Sequence, residues 1–202
     1  MEKETFNEAE RFLLGNWAGS RQLEVSMEEV RAKYSTVAQR VFKALQDSQE
    51  NLDFSFVRVT RLSGIGWLAL GRKAWHPDGH RPTGYWIKNL RLEYLSDETK
   101  PQPSASIWIK PALKEGIDFN DACKAIHDAA PKILSEDEYR RCELISDGET
   151  VLKLEIQPGR KELLEMLSQK DSQAFVDCLV SHFEILAKFT DVLDSVLVKT
   201  KK

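Results

Sequence analysis

The sequence predicts an α+β fold: an antiparallel sheet of about six strands, a four-strand meander plus a hairpin, covered by N-terminal, middle and C-terminal helices. Three observations carry this. Strand-like segments gather between residues 54 and 110 and again between 141 and 156, instead of alternating one by one with helices, which argues against a parallel sheet. Short turn-forming links join the first four, as in a meander. Asp147-Gly148, between two alternating segments, is a strong two-residue hairpin signal. The 202 residues fit one α+β domain, with residues 1–20 readable as a helical N-terminal appendage.

Taken in order, Phe6, Ala9, Phe12 and Leu13 line one side of a short helix whose exit is bracketed by Gly15 and Gly19. Ser26 is placed to cap a second helix, in which Met27, Val30, Tyr34, Val37, Val41 and Leu45 recur every three or four residues. The period then changes to that of strands at 54–60 and 66–70, both rich in β-branched or aromatic residues. Residues 85–95 read as one long strand, with Trp86, Lys88, Leu90, Leu92 and Tyr94 on one face. A polar link leads to a strand at 106–110. Asp118 caps a helix that Pro131 is expected to stop, and Ser135 to Glu138 forms a capping box. The hairpin at 141–146 and 149–156 follows. A helix at about 160–168 precedes a last one, capped by Asp171 or Ser172, whose stripe is Phe175, Leu179, Phe183, Leu186 and Leu193.

Composition excludes several function classes. The formal charge of −3 gives no global attraction for nucleic acid or acidic membranes. No apolar run approaches the ~20 residues that cross a bilayer, so no membrane partner is expected. Cys123, Cys142 and Cys178 are widely spaced and odd in number, and the first residues are acidic and polar. Reduced thiols in a cytoplasmic protein are therefore expected. Cys123/His127 and Cys178/His182 are each four residues apart, a spacing that neighbouring turns of one helix explain without invoking a catalytic dyad.

The segment AWHPDGHRPTGYW, residues 74–86, offers the first candidate site. His76, Asp78 and His80 are proper zinc ligands by type. Pro77 and Gly79 exclude the helix that would place the two imidazoles on one face, and an extended strand would spread them over ~13 Å. Pro77-Asp78-Gly79 is instead one of the best turn sequences available. A loop is expected there, and no metal or other cofactor. A second candidate is Glu143, Asp147, Glu149 and Lys153 around the hairpin, the carboxylate and lysine inventory of a metal-dependent phosphodiesterase or nuclease. Their positions equally suit the solvated face of a half-buried hairpin.

The third candidate is compositional. Residues 51–115 hold ten Lys or Arg against six Asp or Glu, and four of the five tryptophans. The residues expected to bind are Arg72, Lys73, Trp75, His76, His80, Arg81, Tyr85, Lys88 and Arg91. Aromatics beside Arg make good protein anchors, and the same mixture can stack bases. The leading expectation is a non-catalytic binding or adaptor protein that engages a protein or peptide partner through this sheet surface and the 72–84 loop. The alternatives are the metal-dependent enzyme, a nucleic-acid-binding protein, and a homodimer paired through the helix near 172–197. In element order alone, residues 25–197 resemble the small acidic secretion chaperones of type III systems. That resemblance implies a dimer holding an extended segment, and it departs from the pattern at the extra strand and the Trp-rich loop.

Overall fold

In the computed structural model the described residues are 17–48, 54–60, 64–75, 83–109, 118–145 and 149–198. The architecture is α+β: one antiparallel sheet with helices packed on one face. The strands are β1 (Phe54–Thr60), β2 (Gly64–Gly71), β3 (Gly84–Lys88), β4 (Ser104–Trp108), β5 (Cys142–Leu144) and β6 (Thr150–Glu155). They lie in the order β1-β2-β3-β4-β6-β5, so β5 folds back from β6 to form one edge. The helices are α1 (Trp17–Ser48), α2 (Leu92–Leu95), α3 (Phe119–Ile133), α4 (Glu136–Arg140), α5 (Arg160–Ser168), α6 (Gln173–Ala187) and α7 (Thr190–Leu197). A 3₁₀ turn, Lys73–Trp75, follows β2. Among the described residues no helix is long and apolar enough to cross a membrane.

Alternation decides the two faces of the sheet. Leu68, Leu70, Tyr85, Ile87, Ala105, Ile107, Leu152 and Leu154 point to the helices and join one core with them. From α1 that core takes Tyr34, Val37, Ala38, Val41 and Leu45; from α6 it takes Phe175, Leu179, Phe183 and Leu186. Residues of opposite parity, Ala69, Trp86 and Trp108, form a separate small cluster with Trp67 on the other face. A bulge between Ile107 and Trp108 puts Val151 opposite neither, which is how Val151 and Leu152 are both buried although adjacent.

Several expected elements change shape. The helix expected to begin after Ser26 is already formed at Trp17, the first described residue, and is continuous to Ser48, with Ser26 inside it. Among the described side chains Tyr34 to Leu45 supply its fully buried stripe and Val30 packs half-buried against the same core; Val25 is 44% exposed. The strand expected over 85–95 ends at Lys88. Asn89 adopts a left-handed φ of 64°, its amide donates to Gln102 O, and Leu90 and Leu95 turn into the core around α2. Asn tolerates that conformation better than most residues, so the apparent alternation was broken at one position. Pro131 does not stop α3, which runs to Ile133. The last helix divides at Lys188–Phe189 into α6 and α7, and Ser172 precedes it without capping: its hydroxyl donates to Leu167 O and Gln169 O. The Asp118 cap and the Ser135/Glu138 capping box form as expected. The Asp147-Gly148 turn and the 6–14 helix lie outside the described residues.

Candidate functional site

The sequence candidates separate onto different parts of the molecule. Trp75 and Tyr85 point into the core, 2% and 0% exposed, and meet edge-on at 5.7 Å. The Trp75 indole N–H donates to Asp194 Oδ1 at 2.8 Å, and Arg72 pairs with the other oxygen of the same carboxylate. Tyr85 and Thr190 share a hydroxyl hydrogen bond of 2.9 Å, and burial holds the Tyr85 phenol well above its usual pKa. Arg72, Trp75 and Tyr85 thus clasp the 3₁₀ turn and β3 to α7. Lys88 lies 5.4 Å over the Trp86 ring and Arg91 5.7 Å over Tyr94. Lys73 is exposed. His76, Asp78, His80 and Arg81 lie outside the described residues.

On the sheet face away from the helices, Trp67 and Trp86 are 4.5 Å apart and Trp86 and Trp108 5.4 Å apart. This ladder comes from the cross-strand register, which sets Ala69 and Ser106 beside Trp86 as small neighbours. Trp86 and Trp108 are only 4% and 3% exposed, so their rings offer no stacking platform. Glu149 accepts from the Trp108 indole at 3.0 Å, and Glu143 pairs with Lys153 across the hairpin at 3.6 Å. Both carboxylates are therefore engaged; Asp147 lies outside the described residues. Among the described residues no three His, Cys, Asp or Glu side chains gather as metal ligands do.

What the fold does assemble is a pair of clefts at the β5 edge. The first, about 330 Å³, is floored by Ser104, Lys153 and Glu155 of the sheet and walled by Gln102, Glu143, Arg140 and Arg141. The second, about 550 Å³, is bounded by Arg140, Arg141, Asp137, Gln157, Ser181 and Ile185. Arg140 and Arg141 are common to both, so the two openings meet at this pair. They occupy that corner because the capped α4 ends at Arg140 and β5 starts at Cys142, leaving no residue to carry the chain away. Arg140 is engaged by Glu136 and, at 3.8 Å, by Asp137. The Arg141 guanidinium donates through Nε to Asp137 O at 3.4 Å; among the described residues no carboxylate reaches it within ion-pair distance. Nothing in the reading of the sequence singled out this pair. The available signal was two adjacent arginines between a capping box and a hairpin strand.

The second cleft also settles the role of a cysteine–histidine pair. His182 is 3% exposed; its Nδ1–H donates to Cys178 O at 2.7 Å and its Nε2 accepts from Gln157 N–H at 3.3 Å. The Cys178 thiol donates to Gln157 O at 3.6 Å. Both side chains grip the main chain of one residue, Gln157, and burial pushes the Cys178 thiol up to about 11 and the imidazole below its ordinary value. A thiol held protonated is no nucleophile. His127 likewise donates its Nε2–H to Ile145 O and Val151 O, at 3.1 and 3.0 Å, and fastens the hairpin to α3.

No family model, curated protein or solved structure matches this chain.

Proposed function

We propose that the chain is a binding module that holds a segment of a partner protein at the β5 side of its sheet. The observation that carries the reading is the meeting of two clefts at Arg140 and Arg141. A partner protein suits them better than nucleic acid does. Arg140, Arg141 and Lys153 alternate with Asp137, Glu143 and Glu155 around the rims. A phosphate backbone is attracted by a surface of one sign, whereas mixed charge in register selects a protein surface of complementary pattern. The clefts are also open, as suits a segment laid across them, and their combined extent exceeds what one small side chain would fill.

The location differs from the sequence expectation, which centred on residues 72–91. Trp75 and Tyr85 are buried and Arg72 is half-buried against Asp194; among the described residues of that region Lys73 is exposed and Lys88 and Arg91 are half-buried. A photo-activatable side chain placed at Glu143, on the cleft rim, is expected to crosslink to a protein in extract of the native cell. The same probe at Glu165, exposed on α5, is expected to stay unreacted. Equal labelling at both positions, or label recovered on nucleic acid, overturns the reading.

A further inference from the structure

We propose that the partner segment is held as an added β-strand on the outer edge of β5, with an acidic side chain against Arg141. This rests on the reading above and gives it a geometry. Glu155 N–H donates to Arg141 O at 3.1 Å and Ile145 N–H to Val151 O at 2.9 Å. Odd-numbered residues of this strand therefore turn their main-chain groups toward β6, because antiparallel ladders alternate bonded and non-bonded pairs. Cys142 and Leu144 turn theirs the other way, and β5 is the last strand in the sheet. Among the described residues no further strand pairs with their N–H and C=O groups, which leaves a template beside the clefts.

The edge is short. Three residues are too few to drive indiscriminate sheet growth, which is one way native edges are kept safe. Recognition must then come from side chains at the head of the strand. On an added strand, positions opposite Arg141 and Glu143 form the non-bonded pairs, where cross-strand side chains approach most closely. Arg140, Lys153 and Lys188 already hold carboxylates. Arg141 is the cation at the junction left without one among the described residues, and Glu155, across the ladder, stops short of ion-pair distance. Complementarity thus asks for Asp or Glu opposite Arg141 and a neutral or basic residue two positions along, opposite Glu143. The segment between them is extended and β-prone.

Selection of random peptides displayed on phage against the full chain tests this. Enriched peptides are expected to carry an acidic residue two positions from a neutral or basic one. Arg141→Gln is expected to weaken them about tenfold, the loss of one charged hydrogen bond, while Glu165→Gln leaves them unchanged. Exchanging the peptide's acid for Lys should restore binding to Arg141→Glu. Amide hydrogen exchange supplies a readout that needs no variant. In the free chain Cys142 and Leu144 should exchange freely while Ile145 is protected; saturating peptide should slow the first two by about tenfold or more. Peptides that respond to Arg141→Gln but leave both amides unchanged overturn strand addition and leave the cleft reading standing. No selected peptide, or peptides indifferent to Arg141→Gln, overturns both.

Discussion

Single side chains with two partners each hold the distant parts of this chain together. Asp194 is one: it satisfies a buried indole N–H from Trp75 and the Arg72 guanidinium at once. Asp194→Ala should cost about 1–3 kcal/mol, mostly from the unsatisfied indole, because the partly exposed ion pair is screened. Chemical denaturation checks this: the midpoint should fall with the slope unchanged, and Glu136→Ala, which removes an exposed pair, should shift it hardly at all. His182 is another. It accepts a main-chain hydrogen bond that its protonated form cannot accept, and burial lowers its pKa in the folded chain from the ordinary 6.5. The unfolded chain therefore binds more protons than the folded one in the window just below that value. Stability should fall as pH drops through 6.5 and level off below the folded pKa. His182→Leu should flatten that part of the profile whatever it does to absolute stability; an unchanged slope would remove His182 as its cause. Neither clasp was legible beforehand. The i, i+4 spacing of Cys178 and His182 showed that they share a helix face, but not that both would reach Gln157, since only packing brings that peptide to α6.

At the level of elements, local chemistry was legible wherever one residue's preference decides. Asp118 accepts from Asn120 N–H at 2.8 Å and Ser135 exchanges bonds with Glu138, both as their types predict. Lengths were not legible, because they depend on what a segment packs against. Tyr85 to Leu95 alternates on paper, yet Asn89 bends it and the core claims Leu90 and Leu95. The regular stripe from Phe175 to Leu193 spans a break, since α6 lies over β3 and β4 while α7 packs on α3. That stripe is buried within the chain. Gly84 has no room for a side chain: a Cβ there would sit 2.2 Å from Leu70 O, with φ at +158°. Gly84→Ala must push β2 and β3 apart and should lower stability by about 1–3 kcal/mol or more. Thermal melting checks it, with Gly159→Ala, whose nearest new neighbour is the movable end of Glu162, as the tolerated comparison.

Across the whole molecule the asymmetry of the sheet governs what is reachable. The helices bury one face into a continuous core, and all three thiols are sheltered by it to some degree. Burial raises Cys123 and pushes Cys142 and Cys178 up to about 11. Aromatic disulfide reagents at pH 8 should therefore modify the folded chain slowly and the unfolded chain fully; fast labelling of Cys142 in the folded chain would contradict that burial. By itself the sequence determined the class of fold, the antiparallel sheet, the caps at Asp118 and Ser135 and the apolar stripes of the long helices, because period and caps are local properties. Only the tertiary structure decided that Trp75 and Tyr85 face inward, that Trp86 and Trp108 are covered, and that Arg140 and Arg141 stand between two clefts. Those are outcomes of which strand lies beside which and where each helix ends. Residues more than a hundred positions apart settle them, at distances no local pattern encodes.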